Sequence, residues 1–146
     1  MRIYFDTCSL HRPLDDKTQL RVSLEAEAVL GVLALCETGE VSLVSSDVLV
    51  LENDRNPQAK RKAFVAGILE QAASIVEVNQ VIGMRAKELE KRGFKAFDAL
   101  HIACAEAAKV DYLCTCDDRM LNRARRQADL SVKVVAPLEL AQELTE

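Results

Sequence analysis

Five short apolar or β-branched runs recur along this chain, each separated from the next by a stretch with helical spacing. A strand that returns parallel to its neighbour needs a crossover long enough to hold a helix. The alternation therefore predicts the α/β class, with a mainly parallel sheet wrapped by helices. Strands are expected at Ile3–Phe5, Val41–Val44, Ser74–Val78, Tyr112–Cys116 and Val132–Ala136. Between the first two, Val22, Ala26, Val29, Leu33 and Cys36 alternate at steps of four and three, one face of a helix that Gly39 stops. Ser45-Ser46-Asp47 offers the cap of a short helix through Leu51 and Glu52, and Asn56-Pro57 reads as the start of the next. Helices over Asn79–Arg92 and Lys95–Lys109 flank Gly93, and two more, over Asp118–Ala128 and from Pro137, close the pattern.

A chain of 146 residues, 49% hydrophobic and 29% charged, fits one globular domain over residues 1–146, with core enough to fold without disulfides or a structural metal. Its five cysteines, Cys8, Cys36, Cys104, Cys114 and Cys116, lack the paired spacings of a secreted scaffold or zinc ribbon and read as reduced, mostly buried thiols. No signal-peptide pattern precedes the first strand, and no apolar run approaches the about 20 residues a bilayer requires. A cytoplasmic protein with no membrane role is expected. The net charge of −4 excludes a general positive field for holding polyanions. Basic clusters at Lys60-Arg61-Lys62, at Lys91-Arg92 with Lys95, and at Arg123 with Arg125-Arg126 read as solvated helix faces.

Right-handed crossovers bring the carboxyl ends of parallel strands to one edge, where sites in open α/β sheets form. Asp6 and Asp117 end the first and fourth expected strands and so project toward that edge. Either could instead cap the segment that follows it, with Asp118 an alternative cap beside Asp117. Asp98 lies on the stripe Phe94, Asp98, Ile102, Ala105 of a helix apolar almost all round, so its charge should be largely buried and in need of a partner. His101, three residues on, could supply a hydrogen bond to Asp98 or to another nearby group, and as a lone histidine on an apolar helix it reads as supporting rather than ligating. Glu52 interrupts the run Val48-Leu49-Val50-Leu51, and surface exposure is its plain alternative. If these acids converge, repulsion decides their state: two unit charges about 4 Å apart repel by about 4 kcal/mol at an effective dielectric of about 20. A hard divalent cation relieves it, and an oxygen-only set suits magnesium or manganese better than zinc.

Taken together, Ile3-Tyr4-Phe5-Asp6-Thr7, Glu52 after the second strand, Phe97-Asp98-Ala99-Leu100-His101-Ile102-Ala103 and Leu113-Cys114-Thr115-Cys116-Asp117 resemble the PIN-domain ribonucleases, including the VapC-like toxins of toxin-antitoxin pairs. The resemblance spans nearly the whole chain and rests on the order and spacing of the four pieces. It implies a Rossmann-like three-layer sandwich with a five-stranded sheet. Asp6, Glu52, Asp98 and Asp117 would line one magnesium or manganese pocket, with Thr115 supporting through its hydroxyl and Asp118 as an extra acid. The implied activity is metal-dependent hydrolysis of RNA phosphodiesters, and the implied partners are RNA, an antitoxin protein and a second copy of the chain. Arg12, Arg55, Lys95 and Arg119 are the candidate phosphate contacts. The opening Asp6-Thr7-Cys8-Ser9-Leu10-His11-Arg12-Pro13 departs from the commonest toxin pattern, so the resemblance carries nuclease further than it carries toxin.

Two phosphotransfer readings fail on single positions. A phosphatase with an aspartate nucleophile on its first strand needs a second aspartate where Cys8 stands, and a receiver-like module needs an aspartate where Val78-Asn79 ends the third strand. A catalytically silent domain that keeps this fold and binds protein or RNA is the remaining alternative.

Overall fold

The computed structural model describes residues 1–145. Strands β1 (Arg2–Phe5), β2 (Ser42–Ser46), β3 (Ser74–Val76), β4 (Tyr112–Cys114) and β5 (Lys133–Val135) form one sheet in the order β3-β2-β1-β4-β5, and every pairing is parallel. Eight α-helices connect and follow them among the described residues: α1 (Thr7–His11), α2 (Leu20–Thr38), α3 (Asp47–Asp54), α4 (Ala59–Leu69), α5 (Gln80–Lys91), α6 (Ala96–Ala107), α7 (Asp118–Arg125) and α8 (Pro137–Leu144). The helices cover both faces of the sheet, with α2 packed on α8 and α5 on α6. None of them is long and apolar enough to cross a membrane.

The central strand β1 is buried along Ile3, Tyr4 and Phe5, and its register sets Phe5 opposite Cys114 of β4. A fully buried side chain such as Ile3, Phe5 or Leu113 contributes about 1.5–3 kcal/mol relative to its exposed state. Because the strand order reverses on either side of β1, the loops after β1 and β4 leave the sheet side by side, which is the switch point where α/β sites gather.

The expected elements are present, with shifts at several ends. Gly39 closes α2 in the left-handed region at φ 85°, where its amide bonds back to Cys36, and Ser46 caps α3 by accepting the Leu49 amide. Asn56-Pro57 does not start α4. The Asn56 side chain accepts the Gln58 amide at 2.9 Å, a local turn that competes with the helix, and α4 begins at Ala59. Strand β4 stops at Cys114 rather than Cys116, since the Thr115 hydroxyl takes the Asp117 amide at 3.0 Å and turns the chain. Periodicity gave no sign of α1, which with the 3-10 turn Arg12–Leu14 fills the connection to α2.

Candidate active site

Asp6 leaves β1 with its amide bonded to the Cys114 carbonyl at 3.1 Å, so the end of β4 fixes where it stands. It is 3% exposed, and its Oδ1 caps α1 by accepting the Ser9 amide at 3.0 Å. The Cys8 thiol donates to the same carboxylate from 3.2 Å. Thus Asp6 is both a helix cap and a buried acid at the sheet edge, the two readings its position allowed.

Asp117 also caps a helix: its Oδ1 accepts the amides of Arg119 and Met120 at the start of α7, at 2.9 and 3.3 Å. Thr115 supports it from beneath. Its buried hydroxyl takes the Asp117 amide, its own amide is held by the Val135 carbonyl of β5 at 3.0 Å, and Cys8 Sγ lies 3.6 Å from the same hydroxyl.

Asp98, in the first turn of α6, is half-buried at the mouth of the site rather than sealed in the core. Its carboxyl is raised to about 6, by burial first and then by the negative charges of Asp6 and Asp117, against weaker relief from His101 and Lys95. The three aspartates, from three distant parts of the chain, therefore share one electrostatic neighbourhood.

Glu52 is positioned differently. From the last turn of α3 it accepts from the Thr7 hydroxyl and lies 2.9 Å from His101 Nε2. Burial pushes its carboxyl up, but the hydrogen bonds from His101 and Thr7 outweigh burial and hold it below its ordinary value. The sequence left open which group His101 would serve. That partner is Glu52, not Asp98, while the other ring nitrogen meets the Tyr4 hydroxyl at 2.6 Å.

Asp118 stands apart. It is exposed and forms a two-pronged ion pair with Arg21 of α2, at 2.6 and 2.9 Å. Among the candidate phosphate contacts, Arg12 is held by Asp15 at 3.0 Å and Glu25 at 3.3 Å, and Arg55 lies over the Phe97 ring. Lys95 and Arg119 are the two that line a cavity of about 110 Å³ together with Asp98 and Asp117. Each of the wider basic clusters has one arginine held in an ion pair, Arg61 with Asp15, Arg92 with Asp129 and Arg125 with Glu139.

The donor chemistry suits a hard cation: oxygen ligands only, one of them raised by the charges of two others. The spacing is less complete. Among the described residues no three His, Cys, Asp or Glu side chains stand close enough to hold one ion as placed, so a shared ion requires side-chain rotation. Two features escaped the sequence reading, the Cys8 thiol against Asp6 and the Tyr4 hydroxyl behind His101. A buried tyrosine usually finds a partner for its hydroxyl, and that was the one signal available for Tyr4.

The family model for the PIN domain matches residues 3–126, which includes every acid of the candidate site. Among solved structures, the chain is similar to one from VapBC2 of Rickettsia felis bound to a DNA fragment from their promoter. That similarity has a TM-score of 0.60 and 14% identity, over 93% of this chain and 98% of that one. It is also similar to PAE2754 from Pyrobaculum aerophilum, with a TM-score of 0.56 and 14% identity over 99% of this chain and 98% of the other. At such identity these two likenesses speak for the fold. No curated protein matches the sequence.

Proposed function

Since the chain belongs to the PIN domain family, whose members are generally nucleases, we propose that it is a magnesium- or manganese-dependent endoribonuclease acting in the cytoplasm. The observation that carries this reading is the neighbourhood of Asp6, Asp98 and Asp117, where the charges of two aspartates raise the third. A bound divalent cation would neutralise this set, acidify the attacking water and stabilise charge on the phosphate.

The chain's own residues divide the remaining work. Asp6, Asp98 and Asp117 would hold the ion, Asp6 and Asp117 with one oxygen already fixed by helix amides, which limits their rotation. Glu52 completes the set from α3, aimed by His101 and Thr7. Thr115 keeps the Asp117 turn in place. Lys95 and Arg119, beside Asp98 and Asp117, bring positive charge to the phosphate being cut. Asp118, paired with Arg21, is left out of the reacting set.

The partner side of the proposal is an antitoxin and a second copy of the chain. It is supported by the family and by the presence of VapBC2 among the structural relatives. A second reading, a silent binding domain, has one observation on its side: the acids do not close on a single ion as placed. The deciding experiment is cleavage of a labelled single-stranded RNA by purified protein with magnesium, with manganese and with chelator. Metal-dependent cleavage that disappears in both Asp6→Asn and Asp98→Asn supports the nuclease. Equal cleavage by wild type and both variants, or none by any of them beside tight RNA binding, supports the silent domain.

A further inference from the structure

A continuous line of hydrogen bonds runs from the start of α3 through the middle of the sheet to the acid site. The Leu49 amide donates to Ser46 Oγ at 3.1 Å, Ser46 Oγ meets the Tyr4 hydroxyl at 2.6 Å, Tyr4 meets His101 Nδ1 at 2.6 Å, and His101 Nε2 meets Glu52 at 2.9 Å. Ser46, Tyr4 and His101 are each buried, with His101 only 1% exposed. Water therefore has little access to the links between them.

Both ends of this line have fixed polarity. An amide can only donate, and an ionised carboxylate can only accept. The carboxylate end therefore assigns the Nε2 proton to His101, which leaves Nδ1 of the neutral imidazole as an acceptor. Tyr4 must then donate its single proton to Nδ1 and accept from Ser46, and Ser46 accepts the Leu49 amide. Each intermediate group has one donor and uses it once, all in the direction of Glu52. The Tyr4 and His101 rings are tilted at 58° with centroids 5.6 Å apart, so they are not stacked and the hydroxyl is their polar link.

We infer that Tyr4 is a positioning residue for the candidate active site, its phenol fixing His101 as the tautomer that donates from Nε2 to Glu52. The orientation of Glu52 then depends on a strand residue that never reaches the site. The part of this inference that concerns metal rests on the reading of Glu52 as one of the ligands. The tautomer itself does not.

The test is nitrogen-15 NMR of histidine-labelled protein at neutral pH without metal, on wild type and Tyr4→Phe, followed by a manganese titration of each. The chain has only two histidines, and His101→Gln identifies the second set of signals. Wild-type His101 should show a protonated Nε2 and a bare Nδ1. In Tyr4→Phe, with an unchanged circular dichroism spectrum, the two nitrogens should shift toward an averaged tautomer mixture, and manganese should bind about five- to tenfold more weakly. A wild-type His101 protonated at Nδ1 overturns the inference without any variant, so a Tyr4→Phe protein that fails to fold does not shelter it. So does an imidazole spectrum, or a manganese affinity, that is the same in both proteins. Wild type that binds no manganese at all counts against the metal site of the preceding section, and the tautomer spectra alone then decide the role of Tyr4.

Discussion

Arg21 of α2 grips Asp118 at the start of α7 with both guanidinium prongs, at 2.9 and 2.6 Å, and so separates Asp118 from Asp117 although the two are adjacent in sequence. The pair lowers the Asp118 carboxyl through the Arg21 hydrogen bond, but both partners are exposed. Exposed pairs stabilise little. Asp118→Asn should keep RNA cleavage within about twofold of wild type and the melting temperature within about 2 °C. Cleavage assays and thermal melts check it, and a loss comparable to that in Asp117→Asn would return Asp118 to the reacting set.

Asp98→Asn should abolish metal-dependent cleavage while leaving the metal-free fold as stable as wild type or more so. The sign with pH follows from its raised carboxyl. Between the ordinary value of 3.8 and about 6 the folded state binds the Asp98 proton more tightly than the unfolded state does. The Asp98 contribution to stability therefore falls as pH rises through that window, and above it the ionised side chain is a net cost. Denaturant melts at several pH values between 4 and 7 should show the wild type losing stability relative to Asp98→Asn as pH rises. The opposite trend would mean that Asp98 is paired rather than repelled.

Cations provide the corresponding measurement on the whole set. Magnesium or manganese at millimolar concentration should raise the wild-type melting temperature, because a ligand that binds only the folded state stabilises it as RT ln(1 + [L]/Kd). Calcium should stabilise comparably and support little cleavage, since it tolerates irregular oxygen coordination. The Asp6→Asn, Asp98→Asn double variant should show no such shift. No cation effect on wild type, or an equal one on the double variant, would remove the shared ion.

Arg12 was a candidate for phosphate binding, yet its surroundings assign it to the scaffold. The Glu25 carboxylate, 3% exposed, lies 3.3 Å from Arg12 Nε, with Arg21 at 3.6 Å as a second cation. Arg12→Met should destabilise the fold by about 3 kcal/mol, the low end for breaking a buried pair, because Arg21 remains. Urea unfolding measures this. An unchanged midpoint with weakened RNA binding would put Arg12 back at the phosphate.

At Gly93, between α5 and α6, φ is 101°, and an added Cβ would fall on the Arg123 guanidinium. Arg123 can swing aside, but the backbone strain stays. Gly93→Ala should destabilise by about 1–3 kcal/mol. A melt unchanged from wild type would show that the turn relaxes freely.

These sites also mark how far the sequence could be read. The five strands, the helix cap at Ser46 and the acids at the sheet edge were legible because periodicity and capping act within a few residues. Local competition was harder to see. Asn56 turns its side chain onto Gln58 instead of starting α4, and Thr115 ends β4 by capturing the Asp117 amide. Helix α1, at five residues, is too short for a periodic signal, even though its cap, Asp6, was conspicuous. Least legible was the assignment of partners across the fold. Whether His101 served Asp98, three residues before it, or Glu52, from another helix, depends on the rotation of α6 against the sheet, and no local pattern encodes that.

The pairing of β1 with β4, which sets Ile3 opposite Tyr112, has a consequence for synthesis on the ribosome. Asp6 emerges early and Asp117 late, and the strand pairing that brings them together joins the two ends of a long loop whose closure must precede any reward from packing. A nascent chain halted before β4 thus carries Asp6, Glu52 and Asp98 but lacks Asp117 and the strand that sets it beside Asp6. The four acids of the proposed site are therefore brought to one sheet edge only when translation is nearly over.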